Sequence, residues 1–231
     1  MRLVHASAFA LAVALVAPVV HTAQQPQDPD RKVAGGGISV PGWKGTVDAG
    51  AAKKGLTIND SKFVKEGDAL HLTIGPAAVY WNPANMASGD YTVKATFREP
   101  KITADHPHPY GIFIGGQNLD TDQPSLMYCV AYGDGTFLVR GFSGGKVVNI
   151  AKRQPHAAVQ KAGADGSVTN EVGWTVKGGR AECMINGTAV AGFDKSEIVG
   201  PEKLESTDGI YGIRVSHNLD VVVTGLSMTK S

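Results

Sequence analysis

The 231-residue chain is short of several things that would have named a class outright. It has two cysteines, too few for a disulfide-scaffolded mini-protein. Lys and Arg number 22 against 21 Asp and Glu, so neither sign is in excess to gather phosphates, and this argues against a nucleic-acid partner. Beyond the first two dozen residues no apolar run approaches the roughly 20 that cross a bilayer, so no membrane span is expected. No long segment repeats its apolar residues at helical spacing, which excludes a parallel βαβ architecture. Internal repeats, linkers and composition breaks are absent after about residue 35, which predicts a single domain over 37–231. What the chain has in quantity is glycine: 29 residues, all after Ala23. Measured against the roughly 208 residues that follow, this is about twice the average usage of about 7 %.

The N-terminus reads as a targeting segment. Met1-Arg2 is basic, and the run Ala6–Val20, interrupted only by Ser7 and Pro18, has the length of a secretory h-region. The expectation is a signal peptide over 1–23, cleaved after Ala23, and export to the periplasm or the extracellular space. No cysteine follows the apolar run, so lipid attachment there is not available. The polar stretch Gln24-Gln-Pro-Gln-Asp-Pro-Asp30 then predicts a flexible leader over 24–36.

The remainder is punctuated by turns. In Tyr91-Thr-Val-Lys-Ala-Thr-Phe-Arg98, Tyr91, Val93, Ala95 and Phe97 alternate with polar residues, the pattern of a half-buried strand. Similar short runs recur at 70–74, 79–81, 110–114, 126–132, 136–140, 147–150, 172–176, 181–185, 210–215 and 221–228, most of them separated by Gly, Asp, Asn and Ser. Ten or more short strands at spacings of about 8–12 residues predict an antiparallel sandwich or barrel. Asn186-Gly187 and Asp134-Gly135 are hairpin signals. Pro155–Lys161 and Ser196–Glu205 have room for a helical turn. Cys129 and Cys183 both fall inside strand-like runs, where a buried thiol behaves as a small apolar residue; packed thiols are the expectation and a disulfide the alternative.

Several segments together resemble a known superfamily. Trp174-Thr-Val-Lys-Gly-Gly-Arg-Ala-Glu-Cys-Met-Ile-Asn-Gly187, then Val190–Asp194 and Gly209-Ile-Tyr-Gly-Ile-Arg-Val215, are similar to the closing half of concanavalin A-like lectin/glucanase jelly rolls. Among these the chain looks most like the laminin-G-like and 3-keto-disaccharide hydrolase-like domains of exported bacterial proteins. The resemblance implies an all-β, two-sheet jelly-roll sandwich. It specifies an activity poorly, because one sandwich hosts lectins, hydrolases and adhesion modules.

The candidate site comes from residue chemistry. Sugars are held by flat aromatic faces and planar hydrogen-bonding groups, and Trp81, His106, His108, Tyr110, Tyr132 and Arg140 supply that mixture. Trp174 shares a strand face with Val172 and Val176 and reads as core. His106-Pro-His108 has a spacing that suits a metal, but the sequence names no third or fourth ligand, and Pro107 and Pro109 favour a rigid rim loop. Asn218 and Asp220 read first as an Asx-type turn, with a structural Ca²⁺ site as the alternative their oxygens allow; no other cofactor is implied. Gly141-Phe-Ser-Gly-Gly145 fits the G-x-S-x-G pattern formally, yet it joins two strands where a nucleophile elbow needs a strand and a helix. The resulting expectation is an exported, non-catalytic carbohydrate- or glycan-binding domain. A glycoside hydrolase of the 3-keto-disaccharide type, with His108, Asp105 and Asp134 as acid/base groups, is the alternative, and a protein-binding adhesion module is a third.

Overall fold

Tyr91, Val93, Ala95 and Phe97 do share the buried face of one strand, and that face belongs to the core between two sheets. The computed structural model describes residues 28–102 and 107–231. In chain order the strands are β1 (Gly37–Ile38), β2 (Lys44–Val47), β3 (Lys62–Glu66), β4 (Ala69–Thr73), β5 (Ala78–Ala87), β6 (Tyr91–Glu99), β7 (Tyr110–Gln117) and β8 (Ser125–Ala131). They continue as β9 (Thr136–Ser143), β10 (Lys146–Pro155), β11 (Val168–Lys177), β12 (Arg180–Ile185), β13 (Thr188–Asp194), β14 (Gly209–Val215) and β15 (Asp220–Lys230). An eight-stranded sheet runs β1-β3-β4-β15-β6-β11-β12-β13, and a seven-stranded sheet runs β10-β9-β8-β7-β14-β5-β2. Neighbours pair antiparallel, β1 beside β3 excepted. This is the jelly-roll sandwich that the resemblance implied.

The seven-stranded sheet is buried on both of its faces at the centre. Every residue of β8 is buried, which a strand with one solvated face cannot show. Met127, Cys129 and Ala131 point into the core with Ile112 and Ile114 of β7 and Ile213 of β14. Leu126, Tyr128 and Val130 point the other way and join Val79, Trp81, Phe113, Tyr132 and Leu138 in a second apolar cluster on the outer face. Side-chain links cross the core. Trp174 Nε1 donates to the Ile112 carbonyl at 3.1 Å, and Cys129 of β8 and Cys183 of β12, expected as packed thiols, are joined by a disulfide with Cα atoms 5.8 Å apart because the two strands face each other across the sandwich.

Turn chemistry follows the sequence in one hairpin and departs from it in another. Asn186 and Gly187 have φ of 48° and 78°, the two positive values of a type I′ turn between β12 and β13. Between β8 and β9 only Gly135 is left-handed, at φ 87°; its N–H donates to the Tyr132 carbonyl at 3.2 Å. Asp134 instead uses Oδ1 to accept from the Thr136 N–H at 3.1 Å. Among the described residues two four-residue α-helices occur, α1 (Ala49–Ala52) and α2 (Lys195–Ile198), whereas 155–161 holds no helix and Pro155 closes β10.

The signal peptide expected over 1–23 lies outside the described residues. The leader expected to be flexible over 24–36 is tied to the sandwich from Asp28 onward. Arg31 donates from Nε to the Ile74 carbonyl at 2.8 Å and from its terminal nitrogen to the Leu219 carbonyl at 2.6 Å, and Val33 N–H reaches the Asp60 carbonyl at 3.0 Å. A polar segment can dock in this way because its bonds go to backbone carbonyls at strand ends, which composition does not reveal. No helix among the described residues is long and apolar enough to cross a membrane.

Candidate functional site

The outer face of the seven-stranded sheet carries a cavity of about 600 Å³. Strand alternation sets its floor. In β14, Tyr211, Ile213 and Val215 enter the core, so Arg214 between them faces outward. Register then places Leu138, Val130, Gly111 and Arg214 in one row across β9, β8, β7 and β14, with Arg140 opposite Tyr128 in the next. Gly111 is required here: a Cβ on it would stand 2.0 Å from the Cys129 carbonyl oxygen. The walls are the β8–β9 turn with Tyr132 and Asp134, the loop Pro107-His108-Pro109, and Ser216.

Three guanidinium groups converge on this cavity, and each is held differently. Arg214, whose side chain is 9 % exposed, forms a two-toothed pair with Asp48 at 2.5 and 2.6 Å and lies 5.0 Å from the Tyr128 ring. Burial alone would lower its pKa, but the Asp48 carboxylate more than reverses this, so Arg214 stays charged. Arg153 comes from the irregular stretch of β10 between Ala151 and Gln154, where a register shift re-aims the chain. It stacks over the Tyr132 ring at 3.9 Å, bonds Asp134 Oδ2 at 2.6 Å and donates to the Thr136 hydroxyl at 2.8 Å. Arg140 is exposed, and among the described residues no carboxylate lies within ion-pair distance of it. The cavity thus offers one uncompensated positive charge beside two that are already neutralised.

The other titrating groups follow from these contacts. Burial raises the Asp134 carboxyl, but the Thr136 hydroxyl and Arg153 lower it further, which leaves it below the usual carboxylate value and charged. Burial raises the Tyr132 phenol, only partly opposed by Arg153 and Arg140, so it is neutral and able to donate. His108 Nε2 sits 2.7 Å from Asp28 Oδ2, and its ring meets that of His217 at 4.2 Å between centroids.

The sequence-derived candidates divide. His108, Tyr132, Arg140 and Asp134 line the cavity together. Tyr110 does not: it is fully buried in the core, its ring stacked on Phe97 at 5.3 Å and its hydroxyl accepting from Asn170 Nδ2 at 3.2 Å. It is the first residue of a strand whose inward face begins with it, so its place at the loop's end is misleading. Trp81 is 3 % exposed and packs in the outer apolar cluster, where it supports the sheet and offers no ring face to a ligand. His106 and Asp105 lie outside the described residues. Asn218 and Asp220 have separate partners: Asn218 is engaged with Arg31 N–H, Asp28 and the Pro29 carbonyl, while Asp220 bonds His71 Nε2 at 2.8 Å. Sequence reasoning missed Arg153 and Arg214. Arg214 had a signal, a lone charge alternating with apolar residues in Gly-Ile-Tyr-Gly-Ile-Arg-Val; Arg153, aimed by an irregular stretch of strand, had none.

No family model matches the chain, and no curated protein matches it either. Solved structures do. The carbohydrate binding module CBM66 from Bacillus subtilis aligns with a TM-score of 0.55 at 12 % identity, over 85 % of this chain and 99 % of that one. An alginate lyase aligns at 0.50 and 16 %, over 84 % and 96 %. A putative glycosyl hydrolase from Parabacteroides distasonis aligns at 0.51 and 11 %, over 82 % and 99 %. At these identities the likeness establishes the fold alone: a two-sheet jelly-roll sandwich.

Proposed function

We propose that the chain is an exported carbohydrate-binding domain whose ligand is a saccharide carrying an acidic group, seated in the cavity on the outer face of the seven-stranded sheet. The observation that carries this reading is Arg140, exposed and without an ion pair among the described residues, beside the rigid Arg153–Tyr132 stack. A guanidinium is planar and matches a carboxylate or sulfate two-toothed, and its neighbours here cannot compete for the ligand because Asp134 is already bonded to Arg153. Tyr132, Ser216 and His108 supply hydrogen-bonding groups for hydroxyls. The names of the structural neighbours, a carbohydrate binding module, an alginate lyase and a putative glycosyl hydrolase, agree with a saccharide ligand.

The hydrolase reading rests on His108 and Asp134 lining the same cavity. Among the described residues that line the cavity Asp134 is the one carboxylate, and a two-carboxylate mechanism needs a second acid about 5–9.5 Å away; Asp105, the other acid the sequence offers, lies outside the described residues. The finer resemblance to laminin-G-like and 3-keto-disaccharide hydrolase-like domains belongs with this proposal. The test is a glycan array on the exported chain containing neutral, uronate-bearing and sulfated saccharides, followed by a reducing-sugar and 3-keto-glycoside assay on each hit. Retention of acidic glycans without turnover, weakened at least about tenfold by Arg140→Ala, is the expected result. Retention of neutral glycans alone overturns the role of Arg140, and turnover overturns the non-catalytic reading.

A further inference from the structure

The histidines at the cavity's rim support an inference that does not depend on the saccharide. His108 stands between two prolines, His217 in the turn from β14 to β15, and Asp28 in the N-terminal segment, and one ligand atom from each lies within 4.8 Å of the others. Asp28 turns its two oxygens to different tasks: Oδ1 accepts from Asn218 Nδ2 at 2.8 Å, and Oδ2 faces His108 Nε2 at 2.7 Å. Asp30 Oδ1 lies 2.9 Å from His217 Nδ1. Arg31, bonded to the Ile74 and Leu219 carbonyls, anchors the segment that carries both aspartates.

Two imidazole nitrogens and a carboxylate oxygen therefore converge on one point from three separate segments of the chain, with the imidazole centroids 4.2 Å apart. That is the donor set of a transition-metal site. We propose that Asp28, His108 and His217 bind one divalent transition-metal ion of the zinc type, with Asn218 as the outer partner that orients Asp28. Two imidazole nitrogens and a carboxylate oxygen suit zinc and its first-row neighbours, whereas Ca²⁺ takes six to eight oxygens. Tetrahedral bonds of about 2.0–2.1 Å set ligand atoms roughly 3.4 Å apart, between the 2.7 Å of the His108–Asp28 pair and the 4.8 Å that bounds the cluster. Hydrogen bonds from outer groups to ligating side chains are what hold such sites in register. The site would fasten the N-terminal segment to the rim of the cavity.

The test uses the full exported chain without a histidine tag, stripped with a chelator. It is titrated with Zn²⁺ against a chromophoric competitor, and with Co²⁺ while visible ligand-field absorption is followed. The expected result is saturation at one equivalent per chain, with His217→Ala and Asp28→Asn each weakening Zn²⁺ binding at least about tenfold. His71→Ala, which removes the histidine between Glu66 and Asp220, should leave the titration unchanged. Asp28→Asn keeps the test decisive should His217→Ala fail to fold, because Asp28 precedes the first strand. Failure of the parent chain to bind stoichiometrically, or unchanged affinity in Asp28→Asn, overturns the proposal.

Discussion

Glu99 ends the inward face of β6, beyond Tyr91, Val93, Ala95 and Phe97, and is 4 % exposed with Oε2 unpartnered among the described residues. Burial, and then the charge of Asp220, push its carboxyl from 4.5 to about 7. In the unfolded chain the proton leaves near 4.5, in the folded chain near 7, so between those pH values the folded state binds more protons and stability falls as pH rises. At 1.36 kcal/mol per pH unit over about 2.5 units, ionising Glu99 in the fold costs about 3 kcal/mol. Glu99→Gln keeps the shape of the protonated acid and removes the charge. Urea unfolding at pH 4 and pH 8 should show the two proteins alike at pH 4 and the variant more stable by about 3 kcal/mol at pH 8. His71 adds a loss of the same sign: burial lowers its pKa, but its bonds to Glu66 and Asp220 raise it further, so the stability it contributes at low pH fades as pH rises. That loss is common to both proteins and cancels in their difference. Parallel pH curves, or a variant less stable than the parent at pH 8, would refute the reasoning by showing the Glu99 carboxylate ionised and well solvated or paired.

Further outcomes follow from other contacts. Replacing Cys129 and Cys183 by Ala opens a link spanning 54 residues, which should cost about 4 kcal/mol; the unfolding free energies of the parent from urea titrations with and without reductant should differ by the same amount, and identical curves would deny the disulfide. Asp48→Ala leaves the Arg214 guanidinium buried without its partner and should cost about 3 kcal/mol, with part recovered by adding Arg214→Met; a neutral Asp48→Ala would show that the pair contributes nothing. Gly111→Ala sets a Cβ against the Cys129 carbonyl and should give little folded protein, judged by near-ultraviolet circular dichroism, whereas a native spectrum would mean the strands can part at no cost.

Most strands were legible because alternation is a local signal. Each apolar run of the second half of the chain became a strand, and Trp174 fell in the core as its companions Val172 and Val176 required. The first three strands were not legible: Gly37–Ile38 is too short to alternate, and Lys62-Phe-Val-Lys-Glu carries charge at three of five positions. The site was half legible. His108, Tyr132, Asp134 and Arg140 sit in or beside strands whose outward face the sequence allows, but which face of the sheet is outward depends on pairing across the sandwich. That is why Tyr110, equally aromatic, ends in the core, while Trp81 faces outward but is covered within the outer apolar cluster. Asp28 and His217 were beyond reach, since they meet His108 only through contacts 80 and 109 residues apart in the chain.

The central claim is the place of the ligand and the charge that selects it. A crystal structure of the chain with its strongest acidic glycan hit tests both at once. The account predicts the sugar within the cavity bounded by Tyr132, Arg153 and His108, with its acidic group bonded to the Arg140 guanidinium. A ligand seated instead in the apolar cleft of Val47, Val79, Leu126 and Phe142, or on the eight-stranded sheet, would contradict it.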